Sequence, residues 1–188
     1  MNQAMTASSP WLDSPVRYGI VSRLLHWLMA ALLLWQFAGM IVKELVGRSA
    51  LPSFMIGSHK PLGTLLLVLA VVRVIWALSQ WRNRPRHPRT LLGRAAGLGH
   101  AALYALMLYV PGVALLRAYG DDKPFAPWGI PLFAGNPAKV EWMIAPASAT
   151  HGLLAWLFLA AIAGHVVMAV VHQRWLRDQT LSRMVGRL

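Results

Sequence analysis

No cysteine occurs anywhere in the chain. Disulfides, iron–sulfur clusters and covalent haem attachment through a Cys-x-x-Cys-His motif are therefore excluded. Acidic side chains are scarce too, with six Asp and Glu against eighteen Lys and Arg, and charged residues make up only 13% of the sequence. A soluble helical bundle needs a polar face on each helix. A chain that is 57% hydrophobic, with a mean hydropathy of +0.50, has too few polar residues to build one. The first seventeen residues, with Pro10, Asp13, Pro15 and Arg17, lack an apolar core segment and read as a short polar tail, not a cleavable signal. No internal repeat is visible.

What is present is a set of long apolar runs. Four of them, at about 22–42, 59–81, 95–116 and 147–173, reach the ~20 residues that a helix needs to cross the hydrocarbon core. Pro111 marks an expected kink in the third. Trp27, Trp35, Trp76, Trp81, Trp142, Trp156 and Trp175 fall largely near segment ends, where an interfacial aromatic belt would sit. The expected fold is all-α, an integral membrane four-helix bundle forming one domain over residues 1–188.

The formal charge of +12 would suggest nucleic-acid binding in a soluble protein. Here the bases gather between the apolar runs, so no nucleic-acid partner is expected and the bilayer accounts for them. The second connection carries Arg82, Arg84, Arg86, Arg89 and Arg94 with no acid. Arg17 and Arg23 lie at one tail, and Arg174, Arg177, Arg183 and Arg187 at the other. The first and third connections are mixed in sign. The positive-inside rule then puts both termini and the second connection in the cytoplasm, and the third connection (about 118–146) outside as an ordered surface loop.

Four histidines stand inside the apolar runs: His26, His59, His151 and His165. His151 and His165 are 14 residues apart, which at ~100° per residue returns to within about 40° of one face, displaced ~21 Å along the axis. One helix face thus offers nitrogen ligands at two membrane depths. The expected topology matches His26 with His165 at the inner depth and His59, at the start of the second segment, with His151 at the outer depth. Two non-covalent b-type haems, each held by two imidazoles, follow from that pairing. Six-coordinate iron favours electron transfer over oxygen binding. Gly63, Gly152 and Gly164 beside these ligands give either room for a flat macrocycle or ordinary close helix packing.

Other polar residues join this set. Arg73, 14 residues after His59, shares its face at the inner depth, and either meets a haem propionate or snorkels to headgroups. His172 and His100 lie at the inner boundary, where each could bind a quinone carbonyl, carry its proton, bond a propionate or face headgroups. His87 sits in the Arg-rich connection and is expected to be solvated. At the outer end Lys60, next to a proposed ligand, could steer an anion, with Lys123, Lys139 and Arg117 also available.

The segments SRLLHWL, IGSHKPLG, GLGHAALY and the THG…GH pair followed by His172 resemble the bacterial cytochrome b561 family over nearly the whole chain. These are small four-helix dihaem proteins of the inner membrane. The resemblance implies haem ligation by His26, His59, His151 and His165. One type within the family, superoxide oxidase, passes electrons from periplasmic superoxide to ubiquinone. The length, the terminal HQRWLRDQTLSRM and the long third connection look like that type, although the outer loop here is not rich in bases. Two functional classes follow. The first is an oxidoreductase taking electrons from superoxide through two haems to ubiquinone. The second is an electron-conduit cytochrome b subunit serving a dehydrogenase or hydrogenase as protein electron donor. A haem-free helical anchor remains only if the four histidines are accidental.

Overall fold

The computed structural model describes residues 9–47, 49–86 and 90–186. His87, Arg89, Arg48 and Arg187, and residues 1–8 of the expected polar tail, lie outside the described residues. Six α-helices follow one another: α1 (Ile20–Val46), α2 (Ala50–Gly57), α3 (His59–Ser79), α4 (Leu91–Gly120), α5 (Glu141–Val171) and α6 (Thr180–Val185). A π-helical turn at His172–Leu176 extends α5, and among the described residues there is no strand beyond an isolated bridge between Phe125 and Phe133.

Among the described residues, four spans are long and apolar enough to cross a membrane: Ile20–Val46, Ala50–Ser79, Leu91–Gly120 and Glu141–Leu176. The first, third and fourth overrun the apolar stretches seen in the sequence at both ends, because backbone hydrogen bonding carries a helix on past the last apolar residue. The second begins earlier and ends two residues short. The second span differs most. His59 does not open it, because the eight residues of α2 come first, with only Ser58 between α2 and α3. α2 packs back along α1, where a Cβ on Gly39 would lie 3.0 Å from that of Met55. Trp35 Nε1 donates to Ser58 Oγ (2.9 Å) and fixes the join. His59 therefore lies more than two turns inside its span, level with Gln36 of α1, whose Nε2 donates to the His59 carbonyl (2.9 Å). Pro111 sits inside a continuous α4.

The main packed pairs are α4 with α5, α1 with α3 and α3 with α4; α1 and α5 are not among them. The α1–α3 and α4–α5 pairs are thus joined through α3 and α4, and α1 meets α5 through side chains. What holds its middle is a small apolar cluster of Met29, Leu66, Ala70, Met107 and Phe158, with Phe37 edge-on to Phe158 at 5.9 Å. Leu66 lies midway between His59 and Arg73, and Phe158 midway between His151 and His165. Seven-residue steps keep each trio close to one face, so the apolar cluster separates an upper from a lower level of polar side chains.

Both described ends of the chain meet at one end of the bundle. There the N-terminal segment is more than a polar tail. Asp13 is 4% exposed. Its carboxylate accepts from the Gly19 amide (2.8 Å), from Ser22 Oγ (2.9 Å) and from Arg84 Nε (2.8 Å). Trp76 Nε1 closes the network on Ser22 Oγ (2.9 Å). Tyr18 stacks under Arg84, and its phenol is pushed up by burial, which the Arg84 guanidinium only partly opposes. Removing one member of a buried ion pair strands the other charge, at about 3 kcal/mol. Asp13→Ala is therefore expected to lower the detergent-solubilised protein's melting temperature clearly, while Leu12→Ala, a change at an exposed side chain, should not. Thermal unfolding of the two variants checks this.

Candidate functional site

Tertiary packing sets the four membrane histidines in two pairs. The ring centroids of His26 and His165 are 6.2 Å apart, and those of His59 and His151 are also 6.2 Å apart. Their planes meet at 65° and 76°. Two imidazoles on opposite sides of one metal, with metal–nitrogen bonds of about 2 Å, place their centroids about 6 Å apart. Both pairs have that spacing. Among the described residues no group of three or more His, Cys, Asp or Glu could close around a metal by itself. Two nitrogens suit an iron whose other four ligands come from a macrocycle.

The pair on the α2 side borders a cavity of about 550 Å³. Gln36, Lys60, Gly63, Arg117, Gly152 and Phe158 line it together with the two histidines. That volume lies within the usual range for a cofactor site. His151 Nδ1 donates to the Val110 carbonyl at 3.0 Å, which leaves Nε2 to face a metal. A ligating histidine is commonly fixed in this way through its other nitrogen. A Cβ on Gly152 or Gly164 would meet nothing within 4 Å, so neither glycine is there for close helix packing. Of the four outer bases considered, Lys60 and Arg117 line the cavity, whereas Lys123 and Lys139 do not. The bases thus come from α3 and α4, and the connecting loop supplies none.

The pair at the terminal end is more closely surrounded. His100 of α4 approaches His165 edge-on at 5.3 Å. Arg73 reaches across from α3, where its Nη2 donates to His26 Nδ1 (3.0 Å) and its Nε to the Tyr104 hydroxyl (3.2 Å). Arg73 is half-buried and turned into the bundle at the level of this pair, not out toward headgroups. His172, one heptad beyond His165, is held by Asp178, with Nδ1 donating to Oδ2 at 2.5 Å.

Several of these partners escaped the sequence reading. Gln36 is a buried amide whose Oε1 has no partner among the described residues. A lone polar residue in an apolar run was the available signal for it. Tyr104 looked like one more aromatic in GLGHAALY, and the Val110 carbonyl carries no sequence signal at all.

The third connection is an ordered loop. Val140 N returns to Gly120 O (2.9 Å), and Phe125 stacks on Phe133 at 6.0 Å. Asn136 Nδ2 donates to the carbonyls of Tyr119 (2.6 Å) and Asp121 (3.1 Å). At Gly135, where φ is +88°, a Cβ would come within 2.7 Å of the Asp122 carbonyl, so the turn needs glycine.

An all-helical, four-span bundle with two stacked histidine pairs is the architecture of a multi-pass membrane electron-transfer cytochrome. Residues 17–187 match the family model of the prokaryotic cytochrome b561 family. The chain belongs to that family, which brings b-type haem and redox electron transfer with it. It is 31% identical to cytochrome b561 homolog 2 of Escherichia coli (strain K12), over 93% of this chain and 94% of that protein. It is also 25% identical to the probable superoxide oxidase CybB of Yersinia pestis, over 91% and 97% respectively.

Proposed function

We propose that this protein holds two b-type haems and passes electrons from superoxide to ubiquinone across the bacterial inner membrane. Support comes above all from the two equal histidine spacings of 6.2 Å, stacked on either side of the Phe158 cluster. In this reading all of residues 1–188 form one domain, with both termini on the cytoplasmic side. His59 and His151 hold the outer haem, and His26 and His165 the inner one. The haems supply one-electron redox chemistry; the chain positions them, keeps water out and brings charge to their edges.

Each remaining residue has a role in the same scheme. Lys60 and Arg117 outnumber the one acid in the lining, Asp121, and leave the outer cavity net positive, which raises the encounter rate of a small anion such as superoxide. Arg73 is the cation for a propionate of the inner haem. A guanidinium can only donate, so the His26 imidazole it contacts accepts at Nδ1 and, when neutral, carries its proton on Nε2. Ligation through Nε2 would require that proton on Nδ1 instead, which can no longer accept from a guanidinium, so Arg73 would then turn to a carboxylate. His100 and His172 border the quinone at the inner end, where a neutral imidazole can bond a carbonyl oxygen and supply a proton.

The deciding experiment is stopped-flow reduction of the purified haem-loaded protein by superoxide, with and without ubiquinone. Fast reduction followed by quinone-dependent reoxidation is expected. Haems that superoxide leaves oxidised would point instead to the conduit subunit, fed by a dehydrogenase or hydrogenase. The same instrument tests steering. Lys60→Gln is expected to slow the bimolecular step severalfold at low ionic strength and to flatten its salt dependence, with haem content unchanged. A rate indifferent to both salt and this substitution would exclude steering by Lys60.

A further inference from the structure

The segment after α5 is built to bring one carboxylate back onto one imidazole. The helix loosens into a π turn at His172–Leu176, and the chain then reverses through Arg177 (φ 51°) and Gln179 (φ 62°). Both are left-handed without being glycine, a conformation that costs energy and concentrates at functional sites. Asp178 lies between them. One of its oxygens, Oδ2, accepts from His172 Nδ1 (2.5 Å). The other, Oδ1, accepts from the Thr180 amide (3.1 Å) and hydroxyl (2.6 Å). The slight burial of Asp178 would raise its pKa, but bonds from Thr180 and His172 outweigh that and hold the carboxyl below the usual range. α6 is then tied to the start of α1, with Arg23 donating to the Val185 carbonyl (3.2 Å) and Trp27 to that of Met184 (3.3 Å). The His172 side chain is 16% exposed and that of Asp178 is 42% exposed. A largely buried imidazole is thus joined to a carboxylate in contact with water.

We propose that Asp178 is the positioning residue for His172: it fixes the proton on Nδ1, so that Nε2 faces the inner quinone and delivers the proton that quinone reduction needs. The inference rests on the quinone site assigned above to this end of the bundle. Reduction of one quinone takes two electrons and two protons, the electrons coming from two superoxide anions that leave as dioxygen. In one of the proton transfers the His172 Nε2–H bond of the imidazolium breaks and an O–H bond forms on a quinone carbonyl oxygen. The neutral ring keeps its Nδ1–H on Asp178, and water then returns the proton to Nε2. The second proton comes from water at the same surface. Asp178 never touches the quinone.

The test uses the haem-loaded full chain, reduced anaerobically and mixed with a short-chain ubiquinone. Asp178→Ala is expected to slow reoxidation by about tenfold with both haem spectra intact. Asp178→Glu should recover part of the rate, and Thr180→Val should fall between. Because Asp178 acts only through His172, the Asp178→Ala/His172→Ala double variant should be no slower than His172→Ala alone. Nitrogen NMR of the reduced protein should show His172 as the Nδ1–H tautomer, and a mixture of tautomers in Asp178→Ala. A slow His172→Ala beside an unchanged Asp178→Ala overturns this inference and leaves the quinone site standing. An additive double variant, or an Nε2–H tautomer in the native protein, overturns it as well. A reoxidation rate unchanged in His172→Ala removes the quinone from this residue, and the inference falls with it.

Discussion

His26→Ala and His165→Ala are each expected to lose the same one of two haems, and His59→Ala and His151→Ala the other. The chain has no cysteine to bind haem covalently, so acidified organic solvent is expected to release both. Pyridine haemochrome analysis of the native protein should count two haems per chain and of each variant one. Low-temperature spectra of the variants should fall into the two classes set by the 6.2 Å ring pairs. Losing one imidazole leaves iron with a single protein ligand beside an opened cavity, which explains an effect as large as loss of the cofactor. The apolar cluster of Met29, Leu66, Ala70, Met107 and Phe158 lies between the levels, so the surviving haem keeps its surroundings. A native count of one haem, or spectra that group His26→Ala with His151→Ala, would refute the paired-depth arrangement.

His172→Ala should leave both haem spectra unchanged and slow quinone-dependent reoxidation by on the order of a hundredfold, the scale of losing a general acid. The residue is one heptad beyond His165 and so continues the same face to the end of the span, where a membrane-soluble acceptor can arrive from the lipid. His100→Ala is expected to act less selectively, because its ring also packs at 5.3 Å against His165 and its loss alters the surroundings of the inner pair. Stopped-flow traces at several quinone concentrations separate weaker binding from slower transfer. Normal reoxidation in both variants would place the quinone elsewhere on the bundle.

The site could be read in the sequence only in part. A histidine in an apolar run is conspicuous because burying a polar side chain in hydrocarbon is costly, so His26, His59, His151 and His165 stood out one by one. Helix rise and the 14-residue steps then gave their depths. Asp13 and Arg84 did not stand out. They are 71 residues apart, and each sits in a stretch where a charge is unremarkable, so Arg84 looked like one topological base among many. α2 was hidden because ALPSFMIG is apolar but short, and nothing in it announces a helix folded back on α1. Asp178 was hidden for a different reason. The reversal that brings it to His172 runs through Arg177 and Gln179, neither of which is a turn-forming residue.

By itself the sequence determined the number of spans, the lack of any covalent anchor for haem and the spacing of polar groups along each helix. These depend on composition and on the fixed rise of an α-helix, and neither needs knowledge of a neighbour. How far apart the rings of each histidine pair stand and which contacts hold Arg73 and His172 were decided only by the tertiary structure. Such contacts depend on how each helix is turned about its own axis and which helices pack together. That rotation is set by side chains meeting across the bundle, Leu66 and Phe158 among them, and not by the order of residues along any one helix.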